Sequence, residues 1–396
     1  MNPKIKSAPT LPEPDDQAKA HSAELTQRIA KQLKRQQELS FAQFMEMALY
    51  TPNLGYYANG LPKIGRQGDF ITAPEVSPIF SRCMARQAEQ ALKQLETPNL
   101  VEFGAGRGVM ARDILLELQD FPLNHYYIIE LSAHLREIQK QTLSLLPLDL
   151  FNKVVWLDQL PTHPIEAVVL ANEVLDAMPV ERLKLEADQA LIAQVIFDDT
   201  AQKFDWHYVP ITERKLQKFT NALLKNIGTP PPKGYKTEIN LNIKPWLASL
   251  SGFIAKGLVL LVDYGYSRAE YYQPARSMGT LRCHYQHLAH SNPFFYPGLQ
   301  DITAHVDFTE VAESSFDAGF KVAGYTTQAH FLMGSGLLEM SFAPDAPVTE
   351  QIHIAQQIKT LTLPDEMGEN FKVIALTKQL DLSLMGFQLR DLRHLL

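Results

Sequence analysis

The chain has 396 residues, of which 45% are hydrophobic and 20% charged, so it can bury a large core in one elaborated domain or two closely joined ones. The formal net charge of −7 argues against nonspecific binding to nucleic acid or anionic membranes, and no apolar stretch approaches the roughly 20 residues that cross a bilayer. Cys83 and Cys283 stand far apart without a Cys-x-x-Cys partner, so neither a disulfide framework nor a thiolate metal site is supported, and we expect a reducing, cytoplasmic location.

The N-terminal part of the chain is predicted to be helical and to precede a central sheet. Residues 1–18 contain four prolines, so we expect a mobile arm there. Helical periodicity follows in residues 21–37 and 41–49, and again in residues 78–95. Residues 19–95 are therefore predicted to form an N-terminal helical extension.

Strands and helices alternate through most of the remaining chain, which is typical of a doubly wound parallel sheet of the α/β class. The strands are predicted at residues 99–103, 126–130, 153–156, 167–171 and 257–263. Residues 181–250 break the alternation, and we interpret them as an insertion between the fourth and fifth strands. The core is then divided into a first half at residues 96–180 and a second half at residues 251–396.

A glycine-rich stretch at residues 101–108 joins the first strand to a helix and is the most informative feature of the chain. Its glycines are Gly104, Gly106 and Gly108, which allow the backbone to approach a ligand closely at a helix N-terminus. A dinucleotide fingerprint would need glycine where Val109 stands, so this spacing disfavours a dehydrogenase. The pattern Glu-x-Gly-x-Gly-x-Gly instead resembles the S-adenosylmethionine (SAM) loop of class I methyltransferases.

Two acidic residues flank this predicted nucleotide site. Glu130 ends the second strand, where a carboxylate accepts hydrogen bonds from both ribose hydroxyls of a nucleotide. A solvated carboxylate at a strand end is the alternative, which the neighbouring glycine loop disfavours. Glu102, at the end of the first strand, is predicted to support cofactor binding by fixing the glycine loop through backbone hydrogen bonds.

Five segments together resemble the MidA-like family of SAM-dependent methyltransferases, namely residues 68–77, 101–108, 171–180, 262–266 and 297–308. The resemblance implies a class I methyltransferase Rossmann-like fold with SAM as cofactor. It also implies methylation of an arginine on a partner protein, because mitochondrial members are complex I assembly factors with that activity. The expected partner is a respiratory-complex subunit or another assembly client. The competing hypothesis is a noncatalytic assembly chaperone that keeps SAM as a structural ligand.

Glu173 and Asp176, which follow the fourth strand, are the predicted catalytic pair. Paired carboxylates bind the fork of a guanidinium, and a three-residue spacing would place both on one side of a helical turn. Asn172 is predicted to contact the cofactor. In the alternative interpretation Asn172 caps that helix, and the two acids favour its N-terminal dipole.

The remaining candidates lie in loops. Asp69, in the turn after Gly68, is predicted to bind the ammonium of SAM, the alternative being a turn aspartate that bonds its own backbone. His305 and Asp307 would share a face of an extended segment and are predicted to line the acceptor entrance. The insertion is expected to form part of the substrate wall, and residues 267–306 a lid.

Three histidines at three-residue steps invite comparison with a metal site. They are His284, His287 and His290. Zinc sites combine such residues with further ligands at known spacings, and no acid or thiolate motif completes this set. We therefore predict polar lid or interface residues and no bound metal.

Overall fold

The computed structural model describes residues 11–60, 71–186, 189–227, 232–341 and 346–396. The helices in these ranges are α1 (Asp16–Gln36), α2 (Phe41–Tyr50), α3 (Ala73–Val76), α4 (Pro78–Leu92), α5 (Val109–Glu117), α6 (Ala133–Leu143), α7 (Leu148–Phe151), α8 (Arg214–Ile227), α9 (Ile243–Phe253), α10 (Arg268–Tyr271), α11 (Phe308–Asp317), α12 (Gln328–Gly334), α13 (Leu337–Ser341) and α14 (Val348–Thr362). None of them is long and apolar enough to traverse a lipid bilayer.

The strands in the same ranges are β1 (Asn99–Phe103), β2 (His125–Ile129), β3 (Val154–Leu157), β4 (Ile165–Asn172), β5 (Glu181–Leu185), β6 (Ala190–Asp198), β7 (Lys203–Pro210), β8 (Tyr235–Ile239), β9 (Ile254–Tyr266), β10 (Arg282–Tyr285), β11 (Leu288–His290), β12 (Asp301–Thr303), β13 (Val306–Asp307), β14 (Lys321–Thr327) and β15 (Phe371–Lys378). The five strands expected of the parallel sheet are present as β1, β2, β3, β4 and β9, with small shifts at their ends.

The chain folds into two compact units, each assembled from three separate stretches. The first unit comprises residues 1–71, 177–240 and 272–304, and the second comprises 72–176, 241–271 and 305–396. This division differs from the contiguous segments that we expected. Helix α4, predicted to belong to the N-terminal extension, lies in the second unit, and α1 begins inside the segment predicted to be a mobile arm.

The second unit contains the predicted α/β sheet, with the strand order β14-β15-β9-β4-β1-β2-β3. Neighbours from β9 to β3 run parallel, whereas β15 is antiparallel to both β9 and β14. Strand order reverses between β1 and β4. From β1 the chain continues to β2 and β3 on one side of the sheet, and from β4 it continues to β9 on the other side. Phe103 and Ala171 are paired across these two strands, so the loops that follow β1 and β4 emerge side by side at the carboxyl edge. Ligands of open α/β sheets bind at such a point.

Apolar helices cover this sheet and fix its position. In α4, the Ser77 side chain caps the first turn and Pro78 occupies the N-terminal position, where its missing N–H costs nothing. Phe80 and Met84 lie one turn apart and are fully buried in the same cluster as Leu100 of β1. Burial of each such side chain contributes roughly 1.5–3 kcal/mol by transfer from water.

The first unit contains antiparallel sheets and the N-terminal helices. Its larger sheet has the order β7-β6-β5-β8 and is the insertion that we predicted between the fourth and fifth parallel strands. Its smaller sheet has the order β11-β10-β12. Helix α2 begins with a capping box between Ser40 and Gln43, and buries Phe41 and Phe44 in a cluster with Ile302 of β12.

Candidate cofactor and acceptor site

The glycine loop after β1 has a backbone that side chains rarely allow. Gly104, Gly106 and Gly108 have φ angles of 62°, 53° and 80°, all in the left-handed region. A Cβ on Gly108 would lie 3.3 Å from the Cα of Gln139 on α6. The Gly104 N–H donates to the carbonyl of Ile129 at 3.0 Å, which joins the loop to the end of β2. The backbone conformation therefore favours glycine at all three positions, and a Cβ at Gly108 would also be crowded by Gln139.

Glu130 follows β2 directly and is 8% exposed. Its Oε1 accepts from the Ser132 N–H at 2.9 Å, and its Oε2 accepts from Nε2 of Gln139 at 3.1 Å. Burial raises the pKa of Glu130, and these two hydrogen bonds, the charge of Arg136 and the Leu131 N–H partly oppose the rise. A carboxylate offers about four acceptor positions, so acceptor capacity remains for a ligand.

Arg136 of α6 joins the ends of β2 and β3. Its Nε donates to the Glu130 carbonyl at 2.8 Å, its Nη1 pairs with Asp158 at 2.6 Å, and its Nη2 donates to the Leu157 carbonyl. The side chain of Asp158 is 89% exposed, which limits the strength of that ion pair. Arg136 therefore acts mainly through the two carbonyls, by holding the strand ends together.

Glu102 is 1% exposed on β1 and accepts a hydrogen bond from the Tyr126 hydroxyl at 2.7 Å. We expected it to accept backbone hydrogen bonds from the glycine loop, whereas its bond among the described residues comes from the neighbouring strand. Burial raises the pKa of Glu102 to about 7, Tyr126 lowers it, and the charge of Glu130 adds to the rise. Glu102 is thus a buried acid behind the loop.

The segment after β4 is not helical, so our prediction of a helical turn carrying Glu173 and Asp176 is wrong. Residues 173–178 form bends and turns, and Glu173 has φ of 53°, which a right-handed helix does not accommodate. The Glu173 N–H donates to the carbonyl of Val262 on β9 at 2.9 Å. Asn172 accordingly ends a strand and does not cap a helix.

Asp263 of β9 determines the shape of this segment. Its Oδ2 accepts from the N–H groups of Leu175 at 2.8 Å and Asp176 at 3.2 Å, and its Oδ1 from Tyr264 at 2.9 Å. Burial raises the pKa of Asp263 to about 7, and these backbone donors oppose the rise. The carboxylate thus anchors the backbone of residues 175 and 176 to the carboxyl end of β9.

Glu173 is half-buried, and its carboxylate is held on two sides. Its Oε1 accepts from Nδ2 of Asn172 at 3.1 Å, and the Tyr264 hydroxyl lies 3.5 Å from Oε2. A Cβ built on Gly104 would lie 3.3 Å from the side chain of Val174, so the segment that carries Glu173 touches the glycine loop. Asp176, by contrast, is 3% exposed. The structure therefore brings Glu173 to the predicted site in a more accessible position than Asp176.

His305 and Asp307 differ in their surroundings. The ring of His305 stacks on Tyr264 with centroids 6.0 Å apart and approaches Tyr266 at 5.3 Å. Asp307 caps α11 by accepting from the N–H groups of Thr309 and Glu310, and it pairs with Arg268 at 3.3 Å. Asp307 thus has a structural role, and its predicted contact with substrate stays a prediction.

The other loop candidates are located as follows. Gly68 and Asp69 lie outside the described residues. His284 and His290 stand on the hairpin strands β10 and β11, with His287 in the turn between them at φ of 62°. No group of three or more His, Cys, Asp or Glu side chains in the part of the chain that the structure describes is arranged to hold a metal ion.

Gln139, Asp263 and Tyr264 are site residues that our sequence reasoning missed. Asp263 and Tyr264 lie near the carboxyl end of the fifth parallel strand, β9, and this position was an available signal. Gln139 lies inside an amphipathic helix, where a polar residue is ordinarily solvated. The sequence contained no comparable signal for it.

The residues at this edge suit the adenosyl group that the motif predicts. The glycine positions of the loop present backbone without side chains, and Glu130 keeps acceptor capacity for ribose hydroxyls. Oδ1 of Asn172 is buried and has no hydrogen-bond partner among the described residues. A buried acceptor of this kind ordinarily has a partner, so a ligand donor beside the β4 end is expected.

Comparisons with known proteins agree with this geometry. Residues 83–326 match the Methyltransf_28 family, which is described as S-adenosyl-L-methionine-dependent methyltransferases. The chain is 28% identical to the mitochondrial protein arginine methyltransferase NDUFAF7 homolog of Drosophila melanogaster, over 94% of this chain and 89% of that protein. It is also 28% identical to the human mitochondrial protein arginine methyltransferase NDUFAF7, over 85% and 80%. A Burkholderia thailandensis crystal structure with bound S-adenosyl-homocysteine is 37% identical, with a TM-score of 0.92 over 98% of this chain and 100% of that chain.

Proposed function

Because this chain belongs to the Methyltransf_28 family of SAM-dependent methyltransferases, we propose that its methyl acceptor is an arginine side chain of a partner protein. The resemblance to MidA-like methyltransferases is thereby confirmed, and SAM is the cofactor. The arginine proposal is supported by the names of the relatives and by one observation in this chain. That observation is the Glu173 carboxylate, held at the carboxyl edge of β4 against the glycine loop.

We assign cofactor binding to the loop after β1 and to the end of β2. SAM supplies a methyl group on a sulfonium, which reacts by in-line displacement. Gly104, Gly106 and Gly108 admit the cofactor against bare backbone, and Glu130 accepts from its ribose hydroxyls. The amide of Asn172 takes a further donor at the β4 end. The main task of these residues is to hold the donor at near-attack distance from the acceptor.

We assign the acceptor side to Glu173, assisted by residues that fix its position. A guanidinium is permanently charged and presents N–H donors in a rigid fork, which a carboxylate binds more tightly than a neutral group does. Asn172 and Tyr264 restrict the carboxylate on two sides, and Asp263 holds the backbone of the segment behind it. His305, which stacks on Tyr264, is our candidate for contact with the acceptor chain.

The decisive experiment combines cofactor binding with turnover in the Glu173→Gln variant. The substitution keeps the shape of the side chain and removes its charge, so SAM affinity should stay within about threefold while methyl transfer falls by roughly 100-fold or more. Binding is measured by calorimetry. Turnover is measured by mass spectrometry of arginine methylation in cells that carry the wild-type chain, the variant or neither.

The outcomes separate three functions. Loss of SAM binding and activity together would move Glu173 into the cofactor pocket. Full activity of the variant would remove the chemical support for arginine. SAM binding without any methylated protein that depends on the wild-type chain would favour a noncatalytic assembly factor, the alternative expected from the family resemblance.

We further propose a cytoplasmic location and a client that is a respiratory-complex subunit or part of another assembly. The location is supported by Cys83 and Cys283, which are buried and unpaired, as expected in a reducing compartment. The relatives from Drosophila melanogaster and human are mitochondrial proteins by name. Fractionation of cells that express the tagged chain tests the location, and recovery of the chain with the membrane or periplasmic fraction would refute it.

A further inference from the structure

Gln139 is a fully buried polar residue whose side chain joins four parts of the second unit. It lies on α6 and is 0% exposed. Its Nε2 donates to the carbonyl of Gly106 at 3.0 Å and to Oε2 of Glu130 at 3.1 Å. Its Oε1 accepts from the indole Nε1 of Trp156 on β3 at 3.0 Å. The amide of this α6 residue thus contacts the glycine loop, Glu130 after β2 and the indole of Trp156 on β3.

The orientation of this amide follows from the chemistry of its neighbours. An indole N–H only donates, so it must face the amide oxygen. A backbone carbonyl and a carboxylate only accept, so they must face the amide nitrogen. The two hydrogens of Nε2 are then both used, one on the loop and one on Glu130. A flipped amide would place its oxygen against the carboxylate and its nitrogen against the indole N–H, which leaves no hydrogen bond intact.

We propose that Gln139 is a positioning residue that sets the orientation and charge of Glu130 for ribose recognition. The inference rests on the proposed role of Glu130 in holding the ribose. Ser132 and Gln139 each donate to one oxygen of the carboxylate, which fixes its plane. The Leu131 N–H also interacts with this carboxylate, and the acceptor capacity that remains is what two neighbouring ribose hydroxyls would use. Because the same Nε2 donates to the carbonyl of Gly106, the amide also fixes the position of the glycine loop relative to Glu130.

Three charged groups around Glu130 bear on its charge state. Arg136 of α6 favours the ionised form, and Glu102 on β1 disfavours it. Asp158, after β3, pairs with Arg136 and reduces the effect of that cation. The hydrogen bond from the Gln139 side chain is one of the interactions that lower the pKa of Glu130 against the effect of burial. Its removal therefore raises that pKa further, and protonated Glu130 loses acceptor capacity for the ribose.

The test compares Gln139→Leu with the wild-type chain by calorimetric titration of S-adenosyl-homocysteine from pH 5 to pH 8.5. We expect about tenfold weaker binding at pH 8.5, the effect of losing one hydrogen bond to a charged group. Affinity should fall as pH decreases in both proteins, and the fall should begin at higher pH in the variant. Gln141→Leu, at an exposed position of the same helix, is the control and should match the wild type.

A second pair of probes isolates the ribose. Adenosine and 2′,3′-dideoxyadenosine differ in the hydroxyls that Glu130 would bind. The Gln139→Leu variant should bind adenosine more weakly than the wild-type chain does, while the two proteins should bind the dideoxy compound equally within about twofold. Equal weakening for both compounds would show a merely structural role and overturn the proposal.

Two further variants distinguish failure of the Gln139 proposal from failure of the Glu130 assignment and from a folding defect. Unchanged S-adenosyl-homocysteine affinity in a folded Glu130→Ala variant would remove the ribose assignment and this inference with it. If Glu130→Ala weakens binding and Gln139→Leu changes neither affinity nor pH profile, the Gln139 proposal alone is overturned. Should Gln139→Leu not fold, Gln139→Met replaces it, because the thioether keeps the length of the side chain and lacks both N–H donors. A wild-type pH profile in Gln139→Met would then refute the proposal.

Discussion

Glu173 combines a proposed chemical role with a strained backbone, and substitution by glycine separates the two. A non-glycine residue at φ of 53° carries a cost of roughly 1–2 kcal/mol, which glycine does not have. Glycine also increases the conformational entropy of the unfolded chain, which lowers the free energy of unfolding by roughly 0.5–1 kcal/mol. The balance predicts that Glu173→Gly raises the free energy of unfolding by up to about 1 kcal/mol, whereas Glu173→Gln leaves the strain in place.

Methyl transfer should respond differently from stability. Both variants lack the carboxylate, so both should lose roughly 100-fold or more in turnover while SAM affinity stays within about threefold. Unfolding is followed by urea titration, and binding by calorimetry on the same preparations. A more stable but inactive Glu173→Gly variant would show that the strain is maintained for function.

Gln379 offers a matched control in the same unit. It is exposed, follows β15 and has φ of 54°, nearly the backbone angle of Glu173. Gln379→Gly should gain similar stability and keep full activity. The reasoning is refuted if Gln379→Gly is stabilised and Glu173→Gly is destabilised, because the contacts of Glu173 would then outweigh its strain. It is equally refuted if Glu173→Gly methylates at the wild-type rate.

Further predictions concern the buried acids and the glycine loop. The pKa of Glu102 rises from an ordinary 4.5 to about 7 on folding, so its stabilising contribution is present below pH 4.5 and lost as pH increases through 7. Glu102→Gln should therefore match the wild type near pH 4.5 and be more stable by at most about 3 kcal/mol at pH 8.5, in urea titrations at both values; equal stability at pH 8.5 would contradict the burial argument. Gly106→Val should abolish SAM binding in calorimetry, because a β-branched residue is strained at φ of 53°, and wild-type affinity would sink the loop assignment. Glu130→Ala should weaken SAM by roughly 1.5–3 kcal/mol with the fold intact, as measured by calorimetry beside thermal unfolding, and unchanged affinity would move the ribose contact elsewhere. Asp263→Asn should reduce turnover more than SAM affinity, because it loosens the segment that carries Glu173, and an unchanged turnover number would exclude that positioning role.

The parts of the site that the sequence predicted are those set by short-range pattern. The glycines at 104, 106 and 108 and the acid after β2 occupy fixed places relative to strands whose apolar runs are visible in the sequence. Parallel order then follows from the alternation of strands and helices. The positions of these glycines and of Glu130 were therefore predictable from the sequence, and their contacts with the cofactor stay predictions.

The acceptor side depends on contacts between residues far apart in the chain. Nothing near Glu173 indicates that Asp263 will bind the amides of residues 175 and 176. Gln139 is similar, because its partners belong to β3 and the two loops after β1 and β2. Local propensity does not include such contacts, which join residues far apart in the sequence.

The composition of the first unit from three chain stretches has a consequence for biosynthesis. Phe41 and Phe44 of α2 pack in a cluster with Ile302, so the cluster cannot close before β12 has left the ribosome. About 250 residues separate α2 from β12, and at roughly 5–20 residues per second their translation takes on the order of ten seconds or more. During that interval the apolar face of α2 lacks its final partners. Nascent chains of this protein are therefore expected to be clients of ribosome-associated chaperones, and truncation before residue 301 should yield aggregation-prone fragments.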